Sequence, residues 1–261
     1  MKLPIYQIDA FADCLFAGNP AAVVLLQQWL PDKVLAAIAR ENNLSETAFV
    51  IPGTTISQLR WFTPAVEIDL CGHATLATAD VLLREIFPEQ AMVRFSTRSG
   101  ELAVRREGEL LRLDFPARPA APVALDDAVV DALGARPQAA YRARDLMLVF
   151  EHEAEVAALR PDFRKLGALA PGKYIATAPG DAVDFVSRFF APAVGVDEDP
   201  VTGSAHCTLI PYWAERLGKN KLRARQISVR GGSLFCEHLG ERVGIAGRAV
   251  EYLRGEIGVP E

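Results

Sequence analysis

No uninterrupted apolar run in this sequence approaches the ~20 residues that a membrane-spanning helix needs. The opening stretch MKLPIYQIDAF also lacks the basic and long apolar regions of a signal peptide. Cysteine is scarce. Cys14, Cys71, Cys207 and Cys236 are too few and too scattered for a disulfide framework, so reduced thiols in a cytoplasmic protein are expected. An excess of positive charge is missing too: 28 basic residues stand against 33 acidic ones, for a net charge of −5. That balance argues against a nucleic-acid partner, which needs clustered Lys and Arg. What remains is half apolar and 23% charged, the composition of a globular protein rather than a fibre or a disordered tail.

The 261 residues allow one large domain or two small ones, and an internal repeat favours two. F-T-P-A-V-E-I-D at 62–69 matches F-A-P-A-V-G-V-D at 190–197 at an offset of 128. Three inserted residues later, Gly72 and Ala74 fall on Gly203 and Ala205 at an offset of 131. F-S-T-R-S-G-E-L at 95–102 then matches I-S-V-R-G-G-S-L at 227–234 at 132. Three matches in register with a slowly growing offset point to tandem duplication of a unit of roughly 130 residues. The expected halves are 1–117 and 118–261, with the last strand able to cross back to the first half. The Pro- and Ala-rich stretch 116–123 reads as the linker.

Short β-branched or alternating runs predict strands at 3–9, 22–26, 47–51, 57–62, 93–97, 101–105 and 110–115. The second half offers 145–150, 174–178, 184–190, 226–229, 233–237 and 242–245. A helix over 31–41 starts with Pro in its first turn. Two further helices, 72–87 and 203–217, are apolar around most of their circumference and so belong inside the structure. Pro211 should kink the second or remove one of its backbone bonds. The expected fold class is α+β: two pseudo-symmetric halves, each a curled mixed sheet around one central helix.

Both central helices open on small residues, Cys71-Gly-His-Ala-Thr75 and Thr202-Gly-Ser-Ala-His206. Free N–H groups and the helix dipole favour an anion at such a terminus. Gly72 and Gly203 serve equally well for close packing, but their equivalence in the repeat favours anion binding. His73 falls where Ser204 stands, and Cys71 where Thr202 stands. Asp199, before Pro200, belongs to the loop preceding the second helix, where a carboxylate caps the helix or orients a ligand. Glu46 opens the apolar strand T-A-F-V-I, as a solvated end or as a general acid/base. Cys71, His73, His206 and Cys207 are metal-ligand types, but their spacing matches no usual zinc motif, and no metal is expected. Cys71 at a helix start is a candidate acid/base thiol, although its repeat equivalent is Thr202 and a second thiol is missing.

S-E-T-A-F at 45–49, D-L-C-G-H-A-T at 69–75 and E-D-P-V-T-G-S-A at 198–205 resemble the PhzF-like isomerase family of phenazine biosynthesis. So do I-D-A-F at 8–11 and Gly18-Asn-Pro20, and the likeness runs essentially the whole length. The resemblance implies the diaminopimelate epimerase fold. It implies that Glu46 carries the catalytic proton and that His73 and Asp199 share in catalysis by helping to place the substrate and its migrating proton. It also implies that Gly72, Gly203 and Ser204 bind the acidic group, beside Cys71 and Thr202, with no metal or organic cofactor. The implied partner is a small carboxylated substrate, without nucleic acid or membrane, and a homodimer is compatible with it. The expected reaction is a proton shift on that substrate, with one Glu taking and returning the proton. A one-thiol racemase or epimerase using Cys71, and a non-catalytic small-anion-binding protein, stand as alternatives.

Overall fold

A computed structural model describes residues 1–259. The chain divides into two compact units, residues 1–114 with the segment from Ala246 onward, and Phe115–Ile245.

In the first unit the strands are β1 (Lys2–Ala10), β2 (Asn19–Leu25), β3 (Glu46–Ile51), β4 (Ser57–Phe62), β5 (Glu67–Ile68), β6 (Met92–Thr97), β7 (Gly100–Glu107) and β8 (Leu110–Pro116). Helix α1 (Asp32–Asn42) lies between β2 and β3, and α2 (Gly72–Val81) between β5 and β6. β1 and β2 pair antiparallel, β2 and β3 parallel across the α1 crossover, and β3 and β4 antiparallel. β4 takes β5 antiparallel and β6 parallel across the α2 crossover, and β6–β7–β8 continue as an antiparallel meander.

The second unit contains β9 (Ala121–Val123), α3 (Asp127–Leu133), β10 (Ala139–Arg142), β11 (Leu146–Val149), α4 (Glu153–Ala158), α5 (Phe163–Ala168), β12 (Tyr174–Pro179) and β13 (Phe185–Ala191). There follow β14 (Val196–Asp199), α6 (Gly203–Leu217), β15 (Lys221–Gln226), β16 (Gly232–His238) and β17 (Arg242–Gly247), which runs into the first unit's C-terminal segment. Its pairings repeat the first unit's grammar. β10 and β11 are antiparallel, β11 and β12 parallel across α4 and α5, and β12 and β13 antiparallel. β13 takes β14 antiparallel and β15 parallel across α6, and β15 pairs antiparallel with β16. β9 lies against β10 as β18 (Ala249–Gly258) lies against β1, both antiparallel.

Each unit packs its sheet on one buried helix. All of α2 except Gly72 and Asp80 is buried. Its threonines are tolerated there because Thr75 and Thr78 donate their hydroxyls to the carbonyls of Cys71 and Ala74. In α6, Trp213 stacks on Phe185 at 5.7 Å and donates its indole N–H to Thr177 Oγ1 at 3.0 Å. No described helix is long and apolar enough to cross a membrane.

The structure departs from the sequence reading in several places. The expected helix 72–87 leaves α-geometry at Val81 and closes with a π-turn, Leu82–Ile86, in which the Leu83 carbonyl accepts from the Arg106 guanidinium. Pro31 precedes α1 as its N-cap rather than lying inside it. The strand expected at 226–229 ends where it was meant to begin. β15 covers Lys221–Gln226, its apolar face marked only by Leu222 and Ala224 among charged residues, and the β-branched residues after it form the turn into β16. The stretch 116–123 is not a plain linker, since it completes β8 and supplies β9. Helix α6 runs through Pro211 unbroken. Pro211 has no N–H for the Cys207 carbonyl, and the Arg118 backbone N–H takes that acceptor at 2.8 Å.

Candidate active site

In the first unit, strand register and a helix start bring three chemically active side chains together. Parallel pairing sets Glu46 beside Ala21, two residues after Asn19, so the head of β3 lies next to the head of β2. Cys71 is the extended N-cap of α2, and its side chain makes no capping hydrogen bond, so the helix start at Gly72 keeps its free backbone donors. His73, one residue further, is 5% exposed and Cys71 6%. Glu46 Oε2 stands 3.0 Å from His73 Nε2. The contact is not aligned as a hydrogen bond, and neither atom has another partner among the described residues. On the other side of the ring, Cys71 Sγ lies 3.6 Å and the fully buried Asn19 Nδ2 3.2 Å from Nδ1.

The electrostatics follow from this geometry. Burial pushes His73 toward neutrality, but Cys71 and the Glu46 carboxylate outweigh it and carry the imidazole pKa well above the ordinary histidine value. Burial first, and then the Glu46 charge, raise the Cys71 thiol, against a smaller opposing pull from His73. Cys71 is therefore a protonated thiol at neutral pH, and the charge that holds the imidazole proton is that of Glu46. One ligand atom from each of Glu46, Cys71 and His73 lies within 4.8 Å of the other two, whereas His206 and Cys207 belong to the second unit and are not in that group.

The second unit carries a different polar set at the equivalent helix start. Asp199 ends β14, and Thr202 is the N-cap of α6. The Thr202 hydroxyl donates to Asp199 Oδ2 at 2.5 Å. Gln226, fully buried, ties this corner together. Its Nε2 donates to the Asp199 carbonyl at 2.7 Å and to Thr202 Oγ1 at 3.1 Å, and its Oε1 accepts the Thr202 N–H at 2.8 Å. Ser204 Oγ accepts from Arg144 Nη2 at 2.9 Å, so a cation stands beside the free end of α6. His206 donates Nδ1–H to the Thr202 carbonyl at 2.9 Å, and burial lowers its pKa to about 4.

The residues expected from sequence thus fall into two groups: Glu46, Cys71, Gly72 and His73 in the first unit, and Asp199, Thr202, Gly203 and Ser204 in the second. Three others were not singled out. Asn19 lay within the Gly18-Asn-Pro20 motif, where only contact with His73 gives it a role. Gln226 and Arg144 carry no local signal, because their partners lie 24 and 60 residues away.

An α+β chain made of two like-ordered units, each closed on one buried helix with a polar helix start, has the diaminopimelate epimerase-like fold. Solved structures agree. A hydroxyproline epimerase from Agrobacterium vitis shares the fold with a TM-score of 0.61 at 10% identity, over 98% of this chain and 92% of that one. Nearer in sequence, a PhzF-family structure from Enterococcus faecalis matches with a TM-score of 0.97 at 48% identity, over 99% of this chain and all of the other. The family model described as phenazine biosynthesis-like protein (PhzC-PhzF) matches residues 8–255. An uncharacterized isomerase of Pseudomonas aeruginosa is 53% identical over 257 residues, covering 98% of this chain and 99% of that protein. The chain belongs to the phenazine biosynthesis-like PhzC-PhzF family, and that membership places it among isomerases.

Proposed function

We propose that this chain isomerises a small carboxylated substrate by moving a proton between carbons, with Glu46 as the acid/base. The observation that carries this reading is the Glu46–His73 contact at the uncapped start of α2, 3.0 Å between Oε2 and Nε2 with both atoms otherwise unpartnered. A carboxylate held there, with an imidazolium beside it, is equipped to take a proton from carbon. The free N–H groups around Gly72 and His73 then attract the substrate's acidic group and the negative charge that develops on it. One carboxylate can return the proton to a second carbon on the same face, which is a shift and needs no second base. In the second unit, Gly203, Ser204 and Thr202 with Arg144 offer donors for an acidic group, and Asp199 accepts from a hydroxyl or amine.

The test has two stages. Carboxylated metabolites are screened by thermal shift, and each hit is then incubated with the protein in deuterated water. Glu46→Gln should lose deuterium incorporation by about 1000-fold, the middle of the range that one positioned acid/base contributes, while still binding the ligand. Exchange at the wild-type rate in that variant removes Glu46 from the chemistry. The 3.6 Å approach of Cys71 to His73 supports a second reading, a thiol-dependent epimerase. In that case Cys71→Ser, not Glu46→Gln, abolishes exchange.

A further inference from the structure

We infer that Glu46, Cys71 and His73 form a binding site for a thiophilic divalent cation, of which Zn2+ is the biological example, and that the cation inhibits the protein. Inhibition rests on the function proposed above; metal binding does not. In sequence, only Cys71 and His73 stand together, and a two-residue spacing holds no ion by itself. The fold adds the third donor by setting the head of β3 beside the start of α2. A thiol, an imidazole and a carboxylate are the donor types that zinc sites use, and one atom of each already lies within 4.8 Å of the other two.

Two details of the packing favour an ion over a purely structural cluster. His73 Nε2 and Glu46 Oε2 are buried, and at 3.0 Å they still fail to make an aligned hydrogen bond. Burying the carboxylate oxygen without a partner costs free energy, and an ion that takes it as a ligand recovers that cost. The second detail is that Cys71 Sγ faces Nδ1 of the same ring at 3.6 Å, near the sulfur-to-nitrogen spacing of roughly 3.6 Å that a tetrahedral zinc imposes. The ion is held through Sγ and Nδ1, displaces the Asn19 amide from Nδ1, and gains its third ligand as the Glu46 carboxylate turns toward it from Nε2. On binding, the Cys71 S–H bond breaks and any Nδ1–H bond of His73 with it, the sulfur and the ring nitrogen bond to the metal, and the protons pass to solvent. Three protein ligands leave a fourth position for water or a substrate carboxylate. An ion seated there occupies the carboxylate that the isomerisation needs, so metal and proton transfer exclude one another.

The experiment uses chelator-treated full-length protein and Co2+ or Zn2+ alone. Co2+ should bind one per chain, with visible d–d bands and a near-ultraviolet thiolate charge-transfer band, and Zn2+ should displace it. Cys71→Ser and Cys71→Ala, each shown to melt cooperatively, should weaken binding about 100-fold or more and remove the charge-transfer band, because the soft thiolate dominates affinity. Cys14→Ser should bind as the wild type does. The inference is overturned if the wild type takes up no stoichiometric metal at micromolar concentration, or if the thiolate band survives in both Cys71 variants. Zn2+ that binds through Cys71 yet leaves deuterium exchange running keeps the metal site and instead removes Glu46 from the proposed chemistry.

Discussion

Two buried histidines two residues apart in repeat register show how much the immediate neighbours decide. His73 faces a carboxylate at 3.0 Å, and its pKa is raised. His206, in the first turn of α6, has only the Thr202 carbonyl on Nδ1, no partner on Nε2 and a pKa lowered to about 4. The consequence for stability has a definite sign. Below the ordinary histidine pKa of about 6.5 the unfolded chain takes up a proton that folded His206 refuses, so stability falls as pH drops from about 6.5 to about 4. At about 1.4 kcal/mol per pKa unit, the contribution lost is about 3 kcal/mol. His206→Asn keeps a donor for the Thr202 carbonyl without the titration, so its urea midpoint should vary less with pH over that window. Parallel wild-type and variant profiles would show that other groups set the acid limb.

At the level of elements, the two units share a clamp that motif matching did not reveal. Arg60 reaches Glu67 with two hydrogen bonds, 2.7 and 2.8 Å, and lies 5.2 Å from the Phe62 ring. Arg188 reaches Glu198 with the same two distances and lies 5.0 Å from Phe190. Both arginines sit two residues before the Phe of the repeat, and both tie the strand that precedes a central helix to its neighbour. The clamp thereby holds β5 before Gly72 and β14 before Gly203. Arg188 also gives Nη1–H to the Val156 and Leu159 carbonyls, so it is buried with every contact specified. Glu198→Gln leaves that guanidinium uncompensated and should destabilise the fold by about 3–5 kcal/mol, measured by urea denaturation. A loss under about 1 kcal/mol would mean that the pair behaves as a solvated surface bridge. The corner above β14 has its own fastening: Gln226→Leu strips three hydrogen bonds from Asp199 and Thr202. It should lower ligand affinity and deuterium exchange more than it lowers the melting temperature. Loss of the fold alone, with ligand binding and exchange intact in the folded fraction, would deny Gln226 a role at the site.

The whole chain is two copies of one pairing order, and its C-terminal strand is the exception to a simple division. β18 returns to pair along nearly all of β1, with the register slipping between Gln7 and Ile8. Ending the chain at Gly247 should expose the backbone edge of β1 and cause aggregation on size-exclusion chromatography, as unpaired edges do. A monodisperse truncated protein would show that β1 is protected without it. Much of this architecture was legible beforehand, because duplication preserves motif spacing and a helix apolar all round has only the interior to go to. The offsets of 128, 131 and 132 correspond to like elements in like order, and Gly72 and Gly203 do begin the two central helices. β15 was missed because its apolar face is two small or medium residues among charges. The meaning of Pro211 was missed because it depends on the Arg118 N–H, 93 positions away from it in the sequence. The doubling, the two helix starts and the residue types placed at them are all readable along the chain, since periodicity and local capping chemistry are short-range properties. Packing in three dimensions sets the rest: Glu46 and Asn19 meet His73 at different ring nitrogens, Gln226 holds Asp199, and one histidine has its pKa raised while the other has it lowered. Those are through-space electrostatic and hydrogen-bond relations, set by strand register and burial rather than by spacing along the chain.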